Sequence, residues 1–372
     1  MNKKALWGIV TLVVLIVLVG IVTSKKNNNS PAKETVKVGV LLPLSGDFVA
    51  WWGETIKNGI IVAEANGLSK NIEFVYKDTQ CNTKDAVSGT QSLKALYPTM
   101  HIFIVGCDND LKAMLPILNK DTDLAFVAGL SGSDLYASHF PIINLSYRLE
   151  DEGKSTVNLL NLHPEVKTMG VIYGNNTFGQ VVKDTIASQF NCAGCKTISE
   201  QIKLSEPDPK TSVLKLLQGK PDAIFIHNDI PTISAVLKDL DQFGYKGLRI
   251  VTYAGRDQSL IDTAGKASEG TYVSWVVSDQ LNQVQKDFID QYKKMFTKDP
   301  FVTSYFVYDG IALLGEANNV CGGDARCIEQ YFYNKKDFNN VLGNVTFEPN
   351  GQVARSFFFE QIKGGEFVQV DK

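Results

Sequence analysis

An apolar run at Val36–Leu42 breaks at Pro43-Leu44-Ser45-Gly46. Apolar residues then recur at helical spacing, Ile56, Ile60, Ile61 and Ala63, before a second apolar run over residues 72–76 ends at Asp78. A short continuous run, a turn, a 3.6-period stretch and another run predict a strand, a helix and a strand. Such a βαβ unit implies a parallel sheet. The alternation continues along the chain. Residues 101–105, 124–128, 169–173, 223–226 and 250–253 read as buried parallel strands, with helical stretches between them near 84–97, 111–118, 152–162, 180–190 and 232–243. The fold class is therefore α/β throughout, with no internal repeat.

The chain has 372 residues, room for two lobes of ordinary domain size, and 44% hydrophobic residues, enough for a core in each. A formal charge of −3 and a pI near 5.9 provide no basic surface for a phosphate backbone, which argues against a nucleic-acid partner. Residues 6–22 form an uncharged apolar run, preceded by Lys3 and Lys4 and followed by Lys25 and Lys26. That is the layout of an export signal. Val22-Thr23-Ser24 offers small residues for cleavage, whereas the run is near the roughly 17-residue minimum for spanning a bilayer. The expectation is an uncleaved anchor and polar spacer over residues 1–34, with the folded part outside the cytoplasm.

The cysteines fall as three close pairs, Cys81 with Cys107, Cys192 with Cys195, and Cys321 with Cys327. An even count in an exported chain favours disulfides. Cys81 follows the second strand and Cys107 the third, so adjacent parallel strands bring both thiols to one sheet edge. Cys192-Ala193-Gly194-Cys195 has a rival reading as half a zinc site or a redox motif. Against it stands the lack of a second such pair or a nearby histidine.

Several details of the first unit recur together: Pro43-Leu44-Ser45-Gly46 after the strand, Trp52-Gly53 opening the helix, Lys57-Asn58-Gly59-Ile60 within it, and Lys77-Asp78 closing the next strand. In these the chain resembles the type I periplasmic substrate-binding proteins, specifically the leucine/isoleucine/valine-binding branch that feeds ABC importers. The resemblance runs from about residue 35 to residue 370. It implies two Rossmann-like lobes with parallel sheets, joined by a hinge that the chain crosses near Leu145, Val276 and Val341. Residues 35–146 plus 277–341 would make the first lobe, and 147–276 plus 342–372 the second. It further implies a non-enzymatic protein that closes on a small polar ligand, an amino acid or related compound, and is recognised by a membrane permease, with no cofactor. Cys81 and Cys107 match positions that are bridged in the leucine-binding relatives.

In open α/β sheets, ligands bind beyond the carboxyl ends of the strands, where helix N-termini suit anions. Two loops occupy such places, Gly106-Cys107-Asp108-Asn109 and Gly129-Leu130-Ser131-Gly132-Ser133. By residue type alone, Asp108, Ser131 and Ser133 read as helix caps. The resemblance adds that the matching positions in amino-acid-binding relatives hold an α-carboxylate through a hydroxyl and backbone amides, roles that Ser131 and the amide of Gly129 or Leu130 fit. The chain departs from those relatives twice. Asp108 stands where a serine is expected, and Ala254-Gly255-Arg256-Asp257 stands where they carry a glutamate for the ammonium. An ionised Asp108 attracts a cation and Arg256 an anion, so the implied polarity is rearranged. Trp52 and Phe178 stand where the relatives use tyrosines, Tyr305 is expected to approach from the first lobe, and Asp229 replaces another tyrosine. Ordinary packing is the rival reading for the aromatics, and helix capping for Asp229. Packing alone fits Trp51-Trp52 least well, because adjacent residues at a helix start cannot both face the core.

Catalytic and metal signatures are missing. Residues 174–179 have the spacing of half a P-loop, but Gln180 stands where the lysine must be. Gly129-Leu130-Ser131-Gly132 lacks the second glycine of a nucleophile elbow. His101, His139, His163 and His227 show no paired spacing for metal. The rival to import is a sensor, the same fold reporting to a signalling partner.

Overall fold

A computed structural model describes residues 35–46, 50–129, 135–136, 140–277, 282–336, 338–353, 355 and 357–370. The first lobe starts β1 (Val36–Leu42), α1 (Ala50–Ala65), β2 (Ile72–Asp78), α2 (Thr83–Leu96), β3 (Ile102–Val105), α3 (Asp108–Met114), β4 (Leu124–Val127) and β5 (Ile142–Asn144). Its sheet has the order β2-β1-β3-β4-β5 and is parallel at every pairing. Every residue of β3 and β4 is buried, which is why these strands read as unbroken apolar runs.

The chain then passes to the second lobe, with α4 (Leu149–Leu160), β6 (Thr168–Gly174), α5 (Thr177–Gln189), β7 (Lys196–Ile202), α6 (Lys210–Gln218), β8 (Ala223–His227), α7 (Ile230–Gln242), β9 (Leu248–Val251), α8 (Gln258–Ala264) and β10 (Tyr272–Trp275). Side chains of Asn82, Asn176 and Asp229 cap α2, α5 and α7, so these helices begin before their apolar periodicity does. Strand β9 ends earlier than the apolar run suggested. The buried Glu152 accepts the Tyr253 amide at 3.1 Å and draws it off the ladder, and residues Tyr253–Gly255 form a 3₁₀ turn.

Helices α9 (Gln283–Phe296), α10 (Val302–Cys321) and α11 (Ala325–Asn334) return to the first lobe. Helix α10 lies along α1, where a Cβ on Gly59 would come within 2.6 Å of the Ser304 carbonyl. Ser304 Oγ donates to the Thr55 carbonyl at 2.8 Å in the same contact. Phe332 of α11 packs on Phe126 of β4, with ring centroids 5.1 Å apart.

The hairpin β11 (Phe338–Asn340) and β12 (Gly343–Val345) follows. The Asn144 amide then donates to the Gly351 carbonyl at 2.7 Å, and Phe347 packs on Phe332. Residues 338–353 thus stay beside β5. The chain continues into β13 (Phe358–Lys363) and β14 (Glu366–Gln369), which add antiparallel to β10 and complete the order β14-β13-β10-β9-β8-β6-β7.

Charged side chains tie the connections between lobes. Asp309, buried in α10, accepts the amides of Val341 at 3.0 Å and Leu342 at 3.2 Å. The half-buried Arg355 donates to the carbonyls of Ser146 and, at 3.0 Å, Leu145. Burial pushes the Asp309 carboxyl up to about 7, with the Arg355 charge opposing that shift.

All three cysteine pairs are joined as disulfides, with Cα–Cα separations of 5.7, 5.0 and 5.5 Å along the chain. The zinc reading of Cys192 and Cys195 falls with the bond between them. The Cys81–Cys107 bridge closes a separation of 26 residues. Changing both residues to serine should cost about 3.5 kcal/mol on the chain-entropy model, measured by urea unfolding beside the oxidised parent. A loss below about 1 kcal/mol would show that the bridge constrains little. Among the described residues no helix is long and apolar enough to cross a membrane. The run at 6–22, expected to act as an anchor, lies outside the described residues.

Candidate functional site

The loops at the carboxyl ends of β1, β3 and β4 converge on Trp52. Its indole Nε1 donates to the Gly106 carbonyl at 3.1 Å. A Cβ on Gly129 would fall 2.0 Å from that same carbonyl oxygen and 3.2 Å from the indole nitrogen, so only glycine allows the loops this approach. Trp51, the other half of the tryptophan pair, is 45% exposed and meets Trp52 edge to face at 5.7 Å. Asp108 opens α3, next to the bridged Cys107, and pairs with Lys112 at 2.8 Å. Leu130 and Ser131, the expected carboxylate holders, lie outside the described residues.

On the second lobe Phe178 sits in the first turn of α5, buried against His227 at 4.3 Å, Tyr253 at 5.9 Å and Tyr147 at 6.4 Å. Burial holds the His227 imidazole down at about 4, so it is a neutral wall of the Phe178 pocket at ordinary pH. Below Tyr253 lies Glu152, fully buried, taking hydrogen bonds from the hydroxyls of Ser274 and Thr252 and the Tyr253 amide. Burial raises its carboxyl to about 7 against the pull of these donors. Asp229 caps α7 through the Thr232 amide at 3.1 Å and accepts from the Ser205 hydroxyl. The capping reading of Asp229 therefore describes its contacts.

Arg256 is held on this lobe as well. Its guanidinium pairs with Glu360 of β13 and lies over the rings of Phe367 at 4.3 Å and Trp275 at 5.5 Å. An acid from the antiparallel end of the sheet, Glu360, thus stands beside the loop after β9. Gly255 is buried beneath that loop, where a Cβ would come within 2.8 Å of Val251.

Between the lobes is a cavity of about 750 Å³, within the usual range of small-molecule sites. Trp51, Phe301 and Tyr305 line it from the first lobe, and Arg256, Trp275 and Glu360 from the second. Phe301 is the bridge. Its ring lies 5.3 Å from Trp51, 6.5 Å from Trp52, 6.2 Å from Tyr253 and 6.3 Å from Trp275. Tyr305, one turn along α10, is buried on Phe288 at 4.8 Å. Burial raises its hydroxyl pKa, so it remains a neutral donor.

Of the residues expected from sequence, the structure brings Trp52 and Gly129 together outside the cavity's lining and puts Arg256 and Tyr305 on the cavity. Phe178 belongs to the aromatic cluster behind it. Phe301, Trp275 and Glu360 were not among them. Pro300 before a helical run was the local signal for Phe301 as a helix entry, and nothing local marked the other two.

Cys81, Cys107 and Asp110 lie close together, but the two sulfurs are bonded to each other, which leaves no thiolate for a metal.

The family model for periplasmic binding proteins matches residues 35–366. A search of curated proteins finds no match. Among solved structures, the chain is similar to a leucine binding protein from Thermotoga maritima, at 20% identity and a TM-score of 0.77 over 90% of this chain and 98% of that one. It is also similar to a branched-chain amino acid transporter substrate binding protein from Streptococcus pneumoniae, solved with isoleucine, at 17% identity and 0.77 over 91% and 100%. A third is a solute binding protein of an ABC transporter from Rhodopseudomonas palustris, in complex with p-hydroxybenzoic acid, at 18% identity and 0.80 over 91% and 96%. The match over nearly the whole described chain, with two parallel-dominated lobes, shows that this protein belongs to the type I periplasmic binding proteins, a family of substrate-binding proteins and not of enzymes.

Proposed function

We propose that the chain is the extracytoplasmic solute-binding component of an ABC importer, closing its lobes over a small polar ligand of the amino-acid class or a related compound. The observation that carries this reading is the cavity of about 750 Å³ between the lobes, with rings and charged groups contributed from both. Its charge-assisted hydrogen bonds and stacking suffice for micromolar affinity, which needs about 8 kcal/mol of net binding energy. In this reading the lobes are 35–146 with 277–341 and 147–276 with 342–372, and residues 341–357 act as part of the hinge. Trp52, Gly129, Arg256 and Tyr305 contact or shape the ligand, while Ser131 and the amide of Leu130 hold its carboxylate. The closed form docks on a membrane permease, and residues 6–22 tether the protein to the membrane.

A thermal-shift screen of the purified protein against amino acids, aromatic acids, small amides, polyamines and sugars tests the reading. A ligand at a hundred times its Kd adds about 2.7 kcal/mol to stability. A clear upward shift with one compound class is expected, and a flat response to every class would sink the proposal.

A further inference from the structure

Arg256 and Glu360 are 104 positions apart in the chain and meet on one wall of the cavity, where Arg256 reaches the carboxylate through Nε and, at 3.2 Å, through Nη2. Glu360 is buried and fixed in β13 by its pairing with Val273 on one side and Gln369 on the other. The guanidinium lies over the rings of Phe367 and Trp275. Its charge is thus matched before any ligand arrives. The same holds on the facing wall, where Lys298 pairs with Glu54 at 2.7 Å and Lys293 with Asp299 at 2.7 Å. The rest of the cavity's lining sets Trp51, Trp275, Phe301 and Tyr305 beside Gln258 and the exposed Asp257, which accepts the Ser259 amide at 2.8 Å.

From this arrangement we propose that the cavity selects ring-bearing ligands of zero net charge, and that the Arg256–Glu360 pair sets the selection. The inference rests on the cavity being the binding site proposed above. An anion entering here gives up its hydration and meets Glu360 beside the arginine it would need. A cation meets Arg256 in the same way, so neither recovers its desolvation cost. An uncharged amide or a zwitterion hydrogen-bonds both members of the pair and disturbs neither charge balance, while its ring gains area and edge-to-face contact from Trp51, Phe301 and Trp275.

The test is titration of the intact protein with four probes that share a phenyl ring: benzamide, which is neutral, phenylalanine, a zwitterion, benzoate, an anion, and benzamidine, a cation. Benzamide or phenylalanine should bind at least about tenfold more tightly than either charged probe, and the better of the two tells whether the natural ligand is neutral or zwitterionic. Glu360→Gln should move the preference toward benzoate by about tenfold, and Arg256→Gln toward benzamidine by a similar factor. Arg256 is 31% exposed in its side chain, so its variant carries the test if the buried Glu360→Gln chain does not fold. A wild-type preference for a charged probe, or variants that stay folded and keep the wild-type ratios, would overturn the proposal. Binding of leucine with none of the four probes would overturn the ring selection and leave the binding role standing, whereas no binding by any solute would overturn that role itself.

Discussion

Asp309→Ala should lower the unfolding free energy by about 2–4 kcal/mol, the cost of leaving two backbone N–H groups without their acceptor. Asp309 is 3% exposed, and its carboxylate is the partner of the Val341 and Leu342 amides. Removing it strands two N–H groups in the interior, and each unsatisfied group costs about 1–3 kcal/mol. It also takes away the negative charge that acts on Arg355, whose own hydrogen bonds hold Leu145 and Ser146 at the first connection between the lobes. Because both connections loosen, ligand affinity should fall together with stability. Asp309→Asn, which keeps an acceptor oxygen, should recover part of the loss. Urea unfolding of the three proteins measures this. A loss for Asp309→Ala below about 1 kcal/mol would mean that the buried carboxylate does not organise the hinge.

The second large effect is a dependence on pH. Burial raises the Glu152 carboxyl from its ordinary 4.5 to about 7, so the folded chain holds a proton that the unfolded chain has released. Stability from this group is fully present below about pH 4.5 and is lost as the pH rises through about 7. Asp309, raised from 3.8 to about 7, acts with the same sign. His227 acts oppositely, because its pKa falls from 6.5 to about 4 on folding, so its contribution is present above 6.5 and lost as the pH falls through 4. Between pH 6.5 and 8 the two carboxyl effects, joined by the tail of Asp110, which burial raises to about 6, outweigh what remains of the His227 effect, and the melting temperature should decline across that window. Glu152→Gln removes one of them. At pH 8 it should stabilise the protein by up to about 3 kcal/mol, since one pKa unit corresponds to about 1.36 kcal/mol, and near pH 4.5 it should change little. Thermal melts at pH 4.5, 6.5 and 8 give the comparison. A Glu152→Gln chain that is less stable than the parent at pH 8 would show that the ionised carboxylate, held by Ser274, Thr252 and the Tyr253 amide, is the stabilising form.

Both effects come from contacts that the residue pattern does not display, and their location explains how far the pattern reaches. The unit from Val36 to Asp78 was legible because β1 is buried on both faces and α1 buries Ile56, Ile60 and Ala63 on one, so the apolar spacing along the chain reports the elements directly. The disulfide between Cys81 and Cys107 was legible for a related reason, since β2 and β3 flank β1 in a parallel sheet and deliver both cysteines to the same edge. The same logic put Trp51 and Trp52 at a helix start where one of them had to face outward. The antiparallel strands β13 and β14 left a weaker mark, because strands solvated in part and joined by Gly364 and Gly365 lack the unbroken apolar run of the central strands.

The sequence by itself determined the α/β alternation, the parallel sheets and the bridged cysteines, because burial and turn chemistry act between residues near one another in the chain. Only the tertiary structure decided the contacts between segments far apart in the chain: Phe301 touching rings of both lobes, Glu360 neutralising Arg256, and Asp309 holding the amides of a connection 32 residues away. These pairings depend on where the chain returns after crossing between lobes, and charge pairing acts through space with no periodic trace along the sequence.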